Sequence, residues 1–379
     1  MTREVLGQVA TPALVLDRSR LAANAGRMVT RAHGLGLGLR PHLKTLKSME
    51  AARLVIDPQH GGIAVSTLNE AAYFAARGVA DVQLAVCLPP AKLPRAQAII
   101  QIAKRFSFFV DSVAVAREVA SFAATTATRL NVWIEIDCGG HRTGVAADDP
   151  VLPEIAAALG SGVQLEGVAT HAGQSYGAAT VADIQVIAET ERQSVVEAAA
   201  RLRSAGFEVN GVSAGSTPTI THARSAAGLT EWRAGVYMAG DLFQAAVQSL
   251  SVDDIAVSVL ATVISHNRAR SMIVVDAGGL ALSKDRSTTG RPGKDAGFGA
   301  VVDLAARPSY GDLHIDDVHQ EHGEIHGVSA AVFSSLPIGA RVRILPNHAC
   351  MTAAMYHEYL ITDGKEEIIE RWPRTNGWS

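Results

Sequence analysis

From residue 13 to about residue 240, two hydrophobic patterns alternate along the chain. Short runs rich in β-branched residues, at 13–17, 37–43, 63–66, 81–87, 106–111, 130–137, 163–170, 208–213 and 232–237, predict strands. Between them, 21–32, 69–77, 93–104, 113–123 and 183–204 place apolar residues at three-to-four spacing, with much Ala, which predicts helices that face a core. Ser66-Thr67 and Asp111-Ser112 supply N-cap side chains where strand gives way to helix. Such alternation predicts a parallel sheet covered by helices. With the first strand set aside eight remain, the number that closes a (β/α)8 TIM-type barrel. A doubly wound open sheet is the alternative, but no G-x-G-x-x-G follows an early strand.

Beyond about residue 245 the period changes. Runs at 255–265, 271–276, 299–303, 340–345 and 358–362 alternate with turn residues, and no long helical pattern remains. This predicts a second, β-rich C-terminal domain. The expected division is a barrel over 20–245 and a β-rich domain over 246–379, joined by 1–19. Residues 286–299, RSTTGRPGKDAGFG, are rich in Gly, Lys and Arg and read as a mobile loop.

Composition narrows the function classes. Of 379 residues 48% are hydrophobic and 19% charged, which excludes a disordered chain. The formal charge of −3 gives no reason to expect nucleic acid or an anionic membrane as partner. The longest apolar stretch, 255–264, is about half the roughly 20 residues of a membrane span. Near the N-terminus Arg3-Glu4, Gln8 and Pro12 interrupt any leader-like run. Cys87, Cys138 and Cys350 are too few and too scattered for a disulfide framework. The expectation is a soluble protein of a reducing, cytoplasmic compartment.

Candidate chemistry gathers where the strands end, as it does in barrels of this kind. The segments are Pro41-His42-Leu43-Lys44, Asp137-Cys138-Gly139-Gly140-His141-Arg142, His171-Ala172-Gly173-Gln174-Ser175-Tyr176 and Gly215-Ser216-Thr217-Pro218. A solvated loop explains any one of them; four on one rim point to a site. Lys44 is the sharpest, because a lysine in a partly dry mouth can form a Schiff base, although a surface lysine is the plain alternative. Gly215-Ser216-Thr217 offers backbone N–H groups and two hydroxyls to an anion, and Arg233-Ala234-Gly235-Val236-Tyr237 adds backbone donors after the last strand. An imine-forming lysine opposite a phosphate cradle suits pyridoxal 5′-phosphate. In Pro346-Asn347-His348-Ala349-Cys350, an extended backbone would put His348 and Cys350 on one side. Imidazole plus thiolate suits a divalent metal, zinc first, with Mg²⁺ or Mn²⁺ admitted. A buried cysteine beside a hydrogen-bonded histidine is the plain reading. The His-rich run 319–326 lacks H-E-x-x-H order and reads as a loop facing the active site.

These segments resemble a known group. TPALVLD at 11–17, RPHLKTLKS at 40–48, WIEIDCGGHRTGV at 133–145, THAGQSY at 170–176, GSTPT at 215–219, EWRAGVY at 231–237, QEHG at 320–323 and PNHAC at 346–350 resemble the D-serine and D-threo-3-hydroxyaspartate dehydratases, relatives of D-threonine aldolase among the alanine-racemase-like, fold type III pyridoxal-phosphate enzymes. The resemblance covers nearly the whole chain and implies a barrel plus a β domain. It makes Lys44 the Schiff-base lysine and base for the α-proton. It gives the phosphate to Thr217 and Ser216 with the backbone of Gly235 and Val236, and the pyridine ring to Tyr176, with His171 and Arg142 lining the site. It makes His348 and Cys350 the metal pair, and implies a homodimer whose site lies between subunits. The implied reaction is dehydrative deamination of a 3-hydroxy D-amino acid. Aldolases of this group tend to carry a carboxylate where Cys350 stands, which favours elimination over retro-aldol cleavage. A racemase, or a non-catalytic pyridoxal-phosphate carrier, is a more distant alternative.

Overall fold

The computed structural model describes residues 4–291 and 293–378, so Arg3, Pro292 of the expected mobile loop, and the ends 1–3 and 379 of the expected β-rich domain lie outside the described residues. The chain divides into two compact units. One comprises Met1–Gly26, Thr45–Val55 and Val236–Asn376; the other Arg27–Lys44, Ile56–Gly235 and Gly377–Ser379.

In chain order, β1 (Ala13–Asp17) and α1 (Arg18–Gly34) come first. The second unit is then built from β2 (Gly38–Pro41), β3 (Gly62–Val65), β4 (Asp81–Cys87), β5 (Arg105–Val110), β6 (Leu130–Asp137), the short β7 (Val145–Ala146), β8 (Val163–Ala169), β9 (Gly211–Ala214) and β10 (Glu231–Ala234). Its strands run parallel in the order β2-β10-β9-β8-β6-β5-β4-β3, with β7 on the side of β6. A bridge between His42 and Ala64 and the Leu43 N–H donating to the Ala64 carbonyl at 2.8 Å nearly close the ring. This is the expected eight-stranded barrel. Its helices are α3 (Leu68–Ala75), α4 (Leu93–Ile100), α5 (Val113–Thr126), α6 (Val151–Ala158), α7 (Val181–Ser204) and α8 (Thr217–His222), whereas α2 (Met49–Val55) belongs to the first unit. Thr67 and Ser112 cap α3 and α5 as their positions predict, accepting from Glu70 N and Val115 N. The periodicity missed α2, α6 and α8, which are eight residues or shorter.

Inside the barrel Phe109, Trp133 and Ala169 form a buried cluster. The indole lies so close to β9 that a Cβ on Gly211 would meet Trp133 Cη2 at 2.2 Å. Glycine there is a packing requirement.

The first unit holds the mixed sheet. β1 pairs antiparallel with β11 (Val257–Asn267) and parallel with β17 (Glu358–Thr362). The N-terminal strand thus joins the β-rich sheet. Around it are α9 (Leu242–Ala246), β12 (Met272–Val275), α10 (Gly279–Leu282), β13 (Gly299–Val302), β14 (Asp317–Val318), β15 (Gly323–Ile325), α11 (Ala330–Ser335), β16 (Arg341–Pro346), α12 (Ala349–Ala353) and β18 (Glu370–Pro373). Leu6, Val9, Val15, Leu260, Leu360 and Ile368 make one core of this unit. Among its described residues the 286–299 segment is a run of turns with several hydrogen bonds to the rest of the unit. Buried Asn347 donates from Nδ2 to Thr288 Oγ1 and to the Gly297 carbonyl, both at 2.8 Å, and Lys294 Nζ donates to the Ala246 carbonyl at 2.7 Å. Its glycines and charges concealed these anchors, which come from elsewhere in the chain. Among the described residues no helix is long and apolar enough to cross a membrane.

Candidate active site

Parallel strands deliver the turns that follow them to one end of a barrel, and that is where the sequence-predicted residues of the second unit lie. β2 stops at Pro41, two residues before the expected end, so Lys44 sits on the turn beyond it, exposed, with its N–H 3.4 Å from His42 Nδ1. Burial, then the charges of Lys44 and Arg233 and neighbouring His171, hold the His42 imidazole well below its ordinary value. His171 follows β8. Its Nδ1 lies 2.9 Å from the Gly215 carbonyl, so that nitrogen carries the proton and Nε2 keeps its lone pair. Burial and the Lys44 charge lower His171 to about 3, against the opposing pull of the Gly215 bond. The ring is therefore a neutral acceptor at any physiological pH. Tyr176 sits in the turn Gly173–Gly177, its ring 6.4 Å from that of His171.

Ser216 and Thr217 are buried where β9 passes into α8. The Ser216 hydroxyl caps that helix, accepting from Thr219 N, and meets Ser175 Oγ at 2.9 Å. Gly215 has φ +130°, and a Cβ there would meet the Arg233 carbonyl oxygen at 2.8 Å. At Gly235 a Cβ would meet the His42 carbonyl oxygen at 2.6 Å. Both glycines are thus required by close backbone packing, and the Gly215 and Ser216 amides are donated within the fold, to Glu191 Oε1 at 3.0 Å and to Thr219 Oγ1 at 2.8 Å. Val236, in the first unit, is buried and its carbonyl accepts from Gly240 N. Arg142 is exposed on the turn after β6, where Asp137 Oδ1 accepts from Gly139 N and His141 N; its charge also acts to lower His171. Arg233, buried on β10, donates to Ser213 Oγ and to the Thr170 carbonyl.

The metal candidates lie in the first unit, and the expected geometry needs correction. His348 is the N-cap of α12 and Cys350 is inside that helix, so the stretch after β16 is not extended. The two side chains are nevertheless hydrogen-bonded to each other. His348 Nδ1 lies 2.6 Å from Asp285 Oδ2, and Cys350 Sγ 2.9 Å from Thr45 Oγ1. Burial works against charge on His348, but Cys350, Asp241 and Asp285 outweigh it and raise the imidazole to about 10. An imidazole oriented by Asp285, with the Cys350 thiol beside it, is a donor pair that fits a divalent cation. The other cysteines differ. Burial, with the Glu135 and Asp111 charges, pushes the Cys87 thiol far up, and burial pushes Cys138 up to about 11, so both are inert. Residues 319–322 of the His-rich run form the loop that joins β14 to β15, and 323–325 are β15 itself, with Glu324 between His319 Nε2 at 3.0 Å and His326 Nε2 at 2.9 Å.

Sequence reasoning did not single out His42, Arg233, Asp285 or Glu191. The first two stand inside segments that were noticed, and Glu191 interrupts the apolar stripe of α7. Asp285 has no sequence signal, since the fold alone brings it to His348.

Barrel, mixed sheet and the polar rim together define the alanine-racemase-like class, and family comparison agrees. The alanine racemase N-terminal domain family matches residues 16–242, and the serine dehydratase domain family matches 256–362. The chain belongs to this two-domain family, and it is an enzyme of the lyase type. It is 42% identical to the D-threo-3-hydroxyaspartate dehydratase of Delftia sp. (strain HT23), over 97% of this chain and 98% of that protein. It is 29% identical to the D-serine dehydratase of Dictyostelium discoideum over 97% of each. The solved Delftia dehydratase superposes with a TM-score of 0.94 at 41% identity, covering 99% of this chain and 100% of that one. That dehydratase has also been solved with a histidine and, separately, a cysteine two positions further on replaced by alanine, the latter in the metal-free form.

Proposed function

We propose that this enzyme removes water and then ammonia from a 3-hydroxy D-amino acid, D-threo-3-hydroxyaspartate foremost, with D-serine and D-threonine as further substrates, using pyridoxal 5′-phosphate and a divalent metal. The observation that carries the reading is the pairing of two chemistries in one chain: Lys44 and buried hydroxyls on turns that follow barrel strands, and a His348–Cys350 pair whose imidazole is oriented by Asp285. The similarity to the Delftia dehydratase supports the substrate class. Its histidine and cysteine variants carry the same two-residue spacing as His348 and Cys350, which supports the metal pair.

The cofactor, when bound, supplies an electron sink for the α-carbon, and the metal supplies Lewis acidity toward the β-hydroxyl. The rest falls to this chain. Lys44 Nζ would hold the cofactor through its aldehyde and would take the α-proton of the bound substrate. Ser216, Thr217 and the backbone at Gly235 and Val236 would hold the phosphate, and Tyr176 would meet the ring. His171, kept neutral by burial and by Lys44, accepts a hydrogen bond at Nε2 without adding a second positive charge beside the lysine. His348 and Cys350 hold the metal, and Asp285 fixes the tautomer of His348. The C–O bond would break, the hydroxide would leave as water with the proton that Lys44 took from the α-carbon, and the enamine, once released, would tautomerise and hydrolyse to a 2-oxo acid and ammonia.

Purified protein loaded with pyridoxal 5′-phosphate and Zn²⁺, Mg²⁺ or Mn²⁺ tests this against the three substrates. Ammonia and 2-oxo acid in equal amounts are expected. Glycine with an aldehyde or glyoxylate would establish the aldolase alternative instead.

A further inference from the structure

α7 turns a regular apolar face inward, through Ile184, Ala188, Val195, Ala198, Ala199 and Leu202, and Glu191 stands on that same face. Helical spacing would put an aliphatic residue there. Glu191 is instead fully buried, a placement that is costly unless the carboxylate is used. Burial raises it, and the Thr219 hydroxyl, the Ala172 and Gly215 amides and the Arg233 charge pull the other way.

Its use is visible in the hydrogen bonds. Glu191 Oε1 accepts from Ala172 N at 2.7 Å and from Gly215 N at 3.0 Å. Ala172 follows His171 directly, and Gly215 precedes Ser216 and Thr217. The carbonyl of the same Gly215 accepts from His171 Nδ1. One carboxylate oxygen therefore joins the turn after β8 to the turn after β9, and the His171 ring completes the loop through the other side of Gly215. Gly215 sits at φ +130°, a backbone conformation open to glycine and rarely to other residues. Ser175 and Ser216 add one more tie between the turns, at 2.9 Å.

We propose that Glu191 is the positioning residue of this site: it sets the β8 and β9 turns against each other, so that His171 and the Ser216–Thr217 hydroxyls face the mouth in fixed register. The inference rests on the cofactor reading given above, but its first readout does not. The acceptor geometry is what matters, since a glutamine keeps an oxygen at the Oε1 position whereas an aspartate keeps the charge and withdraws the oxygen by one methylene.

The experiment compares Glu191→Gln, Glu191→Asp and Glu191→Ala with the parent. Amide hydrogen exchange is followed first on cofactor-free protein, which reads the clamp whatever the enzyme does. Protection at Ala172 and Gly215 should persist in Glu191→Gln and fall in Glu191→Asp and Glu191→Ala. Titration with pyridoxal 5′-phosphate, followed by its absorbance, should show affinity lowered by about tenfold or more in the last two, and within about threefold of the parent in Glu191→Gln. Two outcomes overturn the proposal: Glu191→Asp matching the parent while Glu191→Gln fails, which would assign the role to charge, or unchanged protection of both amides in Glu191→Asp. Because the glutamine and aspartate variants differ from the parent by one or a few atoms, the result does not depend on the alanine variant folding.

Discussion

Asp285 gives the most quantitative handle on the metal reading. Its Oδ2 lies 2.6 Å from His348 Nδ1, and the two side chains are 27% and 30% exposed, so the contact is sheltered without being sealed. A hydrogen bond to a charged group in such a place contributes about 1.5–3 kcal/mol. Loss of an outer-shell carboxylate from a metal-bound histidine lowers metal affinity by about 10–100-fold. Asp285→Asn keeps an acceptor and removes the charge, so about tenfold is expected. Asp285→Ala removes both and leaves the imidazole free to rotate, so the loss should approach about a hundredfold. The assay is competition for Zn²⁺ against a chromophoric chelator, using the parent, both Asp285 variants and Cys350→Ala. Cys350→Ala removes a ligand outright and should be the weakest of the set. Parent-like zinc affinity in Asp285→Ala would refute the orienting role, and parent-like affinity in Cys350→Ala would remove the site.

The remaining predictions concern the barrel. Lys44→Ala should abolish the absorbance of bound pyridoxal 5′-phosphate together with activity, and borohydride reduction of the parent should label Lys44; a label on Lys47 would show the assignment to be wrong. Gly211→Ala should destabilise the protein by about 1–3 kcal/mol in denaturant unfolding, since the added Cβ meets Trp133 Cη2 at 2.2 Å; an unchanged midpoint would mean that the indole moves freely. Asp57 is held below its ordinary value, against its own burial, by bonds from Leu39 N, Gln59 N and His33. A carboxylate lowered on folding stabilises the protein above its unfolded value of about 3.9, and that stability is lost as pH falls toward the folded value. Asp57→Asn should therefore lose stability less steeply than the parent on acidification below about pH 4, and parallel curves would contradict the shift.

Much of this was legible in the sequence because it is local or periodic. Alternating β-branched runs and apolar helical stripes gave the eight barrel strands to within a few residues, since each strand is buried on both faces and reads as a continuous run. Lys44, His171, Ser216 and Thr217 stood out because polar residues follow immediately where those runs stop. What escaped depends on contacts between distant parts of the chain. Asp285 reaches His348 across 63 positions, and Asn347 fastens Thr288 across 59. α12 is five residues long, too short to show a period, so the extended backbone expected through to Cys350 stops at His348, and Cys350 lies in the helix. Glu191 could have been noticed as a carboxylate on an apolar stripe, but its partners are backbone amides, which carry no sequence signature.

The central claim is that this chain eliminates water, with a metal at His348 and Cys350 acting on the leaving group and Lys44 acting at the α-carbon. Proton NMR of D-threo-3-hydroxyaspartate in deuterated buffer, with holoenzyme before and after chelation, reads both events in one time course. The account predicts oxaloacetate and ammonia from the metal-loaded enzyme. After chelation it predicts continued loss of the α-hydrogen signal to solvent deuterium, with ammonia release slowed by about a hundredfold or more. Ammonia release unchanged by chelation, or glycine and glyoxylate as products, would contradict it.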